Sequence, residues 1–113
     1  MSLSLKAGVR LHGIRPELVV ALVVCEGVFR EAGYDFIVTS GTDGQHMRGS
    51  AHYDGSAVDG RLHHIPEAQR TTLVDQCRDR LGDDYDVLLE GAGTNNVHVH
   101  VEVDPKRSYS GPV

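Results

Sequence analysis

From Leu18 onward, apolar side chains recur at three- and four-residue steps through Leu22, Cys25, Phe29 and Ala32. That spacing lines one face of an α-helix. Pro16 suits its first turn and Gly33 its stop. The extra valines between those positions predict a helix buried on more than one side. Residues 34–40, YDFIVTS, then read as a short buried strand. Residues 41–55 are rich in Gly, Ser, Asp and His, which predicts a loop. The next segment, SAVDGRL (56–62), alternates like a strand, with Ala57, Asp59 and Arg61 on one face. Pro66 opens a second helix running to about Leu81, with Leu73, Val74, Cys77 and Leu81 turned inward. GDD (82–84) ends it. YDVLLE (85–90) and VHVHVEV (97–103) are two further strands joined by GAGTNN, and the tail after Pro105 reads as irregular.

The order is helix, strand, loop, strand, helix, strand, strand. The last two strands are close enough to pair as an antiparallel hairpin, so the expected class is α+β with two helices and a small, mainly antiparallel sheet. A chain of 113 residues fits one domain over 1–113 with one core. The net charge of -5 comes from acids spread along the chain, and no Lys/Arg cluster is present to meet phosphates. Nucleic acid is therefore not an expected partner. The longest apolar run, LVVALVVC (18–25), is far short of the roughly 20 residues a bilayer requires, so no membrane partner is expected either. No cleavable leader is recognisable. Synthesis in the cytoplasm is expected, with release by another route if the protein acts outside it. The two cysteines, Cys25 and Cys77, fall on apolar helix faces and read as buried free thiols. With no C-x-x-C pair, any metal site must be built from His and carboxylate side chains.

Two segments offer those side chains. In VHVHVEV, alternation places His98, His100 and Glu102 on one face and Val97, Val99, Val101 and Val103 on the other. A half-buried strand facing water shows the same pattern, so this segment does not decide the matter alone. In GSAHYDGSAVDGR (49–61), His52 and Asp59 are an odd number of residues apart and would face opposite ways on a straight strand. A turn at Asp54-Gly55 removes that obstacle, and the small residues Ser50, Ala51, Gly55, Ser56 and Ala57 permit close backbone approach. Two imidazoles and one carboxylate fill three corners of a zinc tetrahedron and leave the fourth for water, the catalytic pattern. Calcium or magnesium would take more oxygen ligands. Alternation alone admits either His98 or His100 as the second imidazole.

Ser50, His52, Gly55, Ala57 and Asp59 together spell S-x-H-x-x-G-x-A-x-D without a gap, and His98-Val99-His100 supplies a downstream H-x-H. In these features the chain resembles the zinc D-Ala-D-Ala carboxypeptidase family. That family includes vancomycin-resistance dipeptidases and phage L-alanyl-D-glutamate endopeptidases, with the hedgehog signalling domains as distant structural relatives. The motifs span residues 50–100, and VTSG (38–41) fits the strand leading into the first of them. The resemblance implies that His52, Asp59 and His100 bind Zn2+. It implies that His98 lies beside the metal and assists with protons or substrate. It also implies a hedgehog-like zinc peptidase fold and a phage or prophage type of member.

The chain departs from the family in two places. Relatives commonly carry a Glu shortly before the H-x-H, whereas residues 92–97 hold no acid. Glu90 is the nearest upstream acid, and a hairpin register with Glu90 directly opposite His98 brings it to the site. A slip of one residue turns it away. Glu90 is the expected general base and Glu102 the fallback. Relatives also place an Arg just after S-G, where this chain has Thr42 and Asp43; Arg48, with Ser50, is the expected substrate-binding replacement. The expected function is a zinc peptidase hydrolysing a peptide bond in peptidoglycan stem peptides. The alternative is a non-catalytic zinc-binding domain of the same fold, and a metal-free domain with a His-rich face stands third.

Overall fold

The computed structural model describes residues 2–43, 52 and 55–104. Seven elements follow in chain order: β1 (Leu3–Leu5), α1 (Pro16–Ala32), β2 (Phe36–Ser40), β3 (Ala57–Arg61), α2 (Glu67–Leu81), β4 (Tyr85–Glu90) and β5 (His98–Val103). The five strands form one mixed sheet in the order β1-β2-β3-β5-β4. β1 runs parallel to β2, and the other three pairings are antiparallel.

Local chemistry sets the helix ends as expected. Pro16 lies in the first turn of α1, where its missing N–H costs nothing, and Gly33 ends the helix at φ 92. There the Gly33 N–H donates to the Arg30 carbonyl at 3.0 Å and the Tyr34 N–H to the Phe29 carbonyl at 2.9 Å. Pro66 precedes α2, and Gly82 closes it with φ 83.

The core lies between the helices and one face of the sheet. Leu18, Ala21, Leu22, Cys25, Val28 and Phe29 of α1 and Leu73, Val74 and Cys77 of α2 bury against Phe36, Val38, Val58, Val87, Val99 and Val101. Gly60 faces the same way, and a Cβ there would stand 2.5 Å from the Phe36 ring and 3.2 Å from Val99. Its bare backbone lets Phe36 lie on the sheet and meet Phe29 edge-on at 4.9 Å. Both cysteines are buried free thiols, as expected. Burial pushes the Cys25 thiol up, after the larger effect of its hydrogen bond with Cys77.

Two expectations are corrected. β1 is an element the hydrophobic pattern did not mark, because three residues with both leucines over 40 % exposed carry almost no burial signal. It is held by backbone pairing to β2 and by the Ser2 N–H donating to the Asp35 carboxylate. α1 is also not buried on more than one side: Val19, Val20 and Val23 are 51 %, 54 % and 66 % exposed. The helix packs on the sheet and on α2, with no described layer above it.

The other face of the sheet is polar. Asp59 pairs with His100, Arg61 with His98 and Ala57 with Glu102 across β3 and β5. Across the hairpin, Glu90 pairs with His98, Leu88 with His100 and Asp86 with Glu102. Directly opposed residues share a face, so the register that brings Glu90 to His98 is the one the protein adopts. The hairpin edge is finished by Arg78 of α2, whose guanidinium donates twice to the Val87 carbonyl, at 3.1 and 2.6 Å.

Candidate metal centre

His52 enters the site from a turn whose geometry only glycine supplies. The Gly55 N–H donates to the His52 carbonyl at 3.3 Å, and Gly55 has φ 79. A Cβ at Gly55 would stand 2.1 Å from the Gly13 carbonyl oxygen, which no side chain allows. The Gly55 carbonyl in turn accepts the Arg15 N–H at 2.9 Å, tying the turn to the start of α1. Ser56 and Ala57 are buried in the same approach. Asp54, which the sequence reading placed in this turn, lies outside the described residues, as do Arg48 and Ser50 of the expected substrate-binding pair.

The three expected metal ligands converge. His52 is 5 % exposed, and its Nδ1 lies 3.0 Å from the Gly41 carbonyl. A carbonyl can only accept, so Nδ1 carries the proton and Nε2 faces Asp59 Oδ1, 3.4 Å away. His100 reaches the same Oδ1 through Nδ1 at 2.9 Å. Its Nε2 lies 3.0 Å from Glu102 Oε1. One nitrogen is thus directed at Asp59 while the other is held by a carboxylate, the arrangement that orients metal-binding imidazoles. The two rings meet edge-on at 5.3 Å.

One ligand atom from each of His52, Asp59 and His100 lies within 4.8 Å of the others. Bonds of about 2.1 Å at tetrahedral angles separate ligand atoms by roughly 3.4 Å, so the spacing suits zinc with a small outward shift of His100. Two nitrogens and one oxygen are also the donor set zinc favours over calcium or magnesium.

The same contacts govern protonation in the metal-free protein. Burial on its own would raise the Asp59 carboxyl, but hydrogen bonds from His100 and His52 outweigh it and hold the group well below the usual carboxylate range. His100 rises to about 9, chiefly through its bond to Asp59, against the opposing effect of burial. For His52, burial pulls downward, and the Asp59 hydrogen bond and charge reverse it to a net rise.

A second cluster adjoins the first. His98 Nδ1 sits 2.6 Å from the Asn96 carbonyl, which aims Nε2 at Glu90 Oε1, 3.1 Å away. The same Nε2 stands 3.9 Å from Asp59 Oδ2. The two oxygens of Asp59 therefore face different histidines. Glu90 is brought to the site through His98, and Glu102 is engaged by His100.

Sequence reasoning did not reach the carbonyls of Gly41 and Asn96 that orient two rings, since every residue carries a carbonyl and none is marked by type. Arg61, on the site face opposite His98, was visible in the alternation of β3. Comparisons of this chain with protein-family models, with curated proteins and with solved structures find no match. No helix among the described residues is long and apolar enough to cross a membrane.

Proposed function

We propose that this protein is a zinc peptidase that hydrolyses a peptide bond in peptidoglycan stem peptides, with the hedgehog-like fold of the D-Ala-D-Ala carboxypeptidase family. The observation that carries the reading is the convergence of His52 Nε2, Asp59 Oδ1 and His100 Nδ1 beside a Glu90–His98 pair. The unbroken S-x-H-x-x-G-x-A-x-D and the paired histidines support the choice of family. The cell-wall substrate and a phage or prophage origin rest on those motifs, as does a route from the cytoplasm to the wall.

His52, Asp59 and His100 would hold the metal. Bound zinc supplies Lewis acidity towards the substrate carbonyl and makes water a stronger acid. Glu90 Oε1 accepts a proton from the attacking water and returns it to the amine nitrogen as the C–N bond breaks, leaving a carboxylate and an amine. When protonated, His98 donates Nδ1–H to the Asn96 carbonyl and its Nε2–H either to Glu90, keeping that carboxylate beside Asp59, or to the developing oxyanion. Glu102 is a positioning residue, because it bonds the far nitrogen of His100. Arg48 with Ser50, or Arg61 from β3, supplies the contact to a substrate carboxylate.

Two features favour a second reading, a non-catalytic zinc domain: residues 91–97 carry no acid, and the side chain of Glu90 is 46 % exposed. Incubating zinc-loaded protein with purified muropeptides separates the two. Cleavage that disappears in Asp59→Ala and falls by about a hundredfold or more in Glu90→Ala is the expected result. Zinc binding without cleavage by the wild type rejects the peptidase.

A further inference from the structure

Asp59 is the hinge between two sets of donor atoms, only one of which the proposed zinc uses. Its Oδ1 faces His52 and His100. Its Oδ2 faces His98 Nε2 at 3.9 Å, and that nitrogen lies 3.1 Å from Glu90 Oε1. Asp59, Glu90 and His98 offer three ligand atoms that all lie within 4.8 Å of one another. The Asn96 carbonyl holds the proton on His98 Nδ1. In the neutral ring, Nε2 then presents a lone pair to two carboxylate oxygens, three acceptors turned inward with no hydrogen to share. A divalent cation, or a proton that makes the ring an imidazolium, resolves that opposition.

We propose that His98 Nε2, Glu90 Oε1 and Asp59 Oδ2 form a second divalent-cation site, with Asp59 bridging it to the first. One histidine, one terminal carboxylate and one bridging carboxylate suit zinc or another first-row divalent ion. The second site rests on the zinc reading of the first because the two share Asp59. It is the weaker of the pair. It has one imidazole instead of two, its Glu90 ligand is half-exposed, and a neighbouring cation opposes its filling. Filling it recruits the Glu90 oxygen that the proposed mechanism uses for proton transfer. Excess zinc therefore inhibits the enzyme where a single equivalent activates it.

The test is a calorimetric titration of zinc chloride into the full chain after chelator treatment and dialysis, at neutral pH. The wild type takes up two equivalents in two steps, the first tighter. Glu90→Gln, nearly isosteric, and His98→Ala each lose the second step and keep the first. His52→Ala loses the tight step. Far-UV circular dichroism of each variant before titration confirms the fold, and Glu90→Gln keeps the test decisive if His98→Ala unfolds. A single equivalent in the wild type overturns the second site and leaves the zinc reading standing. No binding at all overturns both. A second equivalent that persists in either Glu90→Gln or His98→Ala belongs elsewhere on the chain and also overturns the assignment.

Discussion

Asp59 accepts from His52 and His100 through the same oxygen, which makes the metal-free site a charged network whose strength depends on pH. His100 has a folded-state pKa of about 9, above its ordinary 6.5. Its contribution to stability is therefore complete below pH 6.5 and is lost as the pH rises through about 9. Asp59 is shifted the other way, so its contribution is present above its ordinary 3.8 and is lost only in strong acid. With chelator present, thermal unfolding should shift to lower temperature between pH 6.5 and 9.5, a loss on the order of 2 kcal/mol, and Asp59→Asn should flatten the profile. A metal-free wild type with no such slope would remove the network from the account. Added zinc should reverse the trend, because a bound metal competes with protons for the imidazoles and gains affinity as the pH rises.

At the scale of elements, the polar face depends on the packing of the opposite one. β3 can present Asp59 to the two histidines of the candidate site because its neighbour Gly60 leaves room beneath it for Phe36. Gly60→Ala places a methyl group into the Phe36 ring and Val99. We expect a loss of about 1–3 kcal/mol in chemical denaturation, with zinc affinity reduced as β3 shifts. An unchanged stability would mean that Phe36 relaxes freely. The helices and the β4–β5 hairpin were readable in the chain because 3.6- and two-residue periods each bury one side. The hairpin register was readable as well, since the Glu90–His98 pairing keeps Val87 and Leu89 with the valines of β5. β1 was not, and the apolar positions Val19, Val20 and Val23 suggested burial that no described element supplies.

For the whole molecule, the proposed ligands come from sequence-distant segments, the loop before β3, β3 itself and β5. A metal that binds them clamps the folded chain and has no equivalent site in the unfolded one. Zinc at a hundred times its dissociation constant should add about 2.7 kcal/mol to unfolding stability. Asp59→Ala should abolish that gain, while Glu102→Gln should keep it at about 10–100-fold higher zinc concentration, because His100 loses only its orienting partner. A melting curve indifferent to zinc would reject the metal centre at this scale.

The sequence by itself determined which residues could hold a metal and which face of each strand they occupy. Residue type and a two-residue period are local properties, so His98, His100, Glu102 and Asp59 were placed on polar faces without any coordinates. It also contained the glycine that turns His52 towards Asp59, although only contact with Gly13 explains why nothing larger fits there. Tertiary structure alone decided how those groups are shared. Ring orientation depends on which backbone carbonyl arrives at each histidine, Gly41 for His52 and Asn96 for His98, and carbonyls have no sequence signature. The division of Asp59 between two clusters likewise arises only when β3 lies beside β5 and β5 beside β4. Three strands must pair before one carboxylate can face both ways.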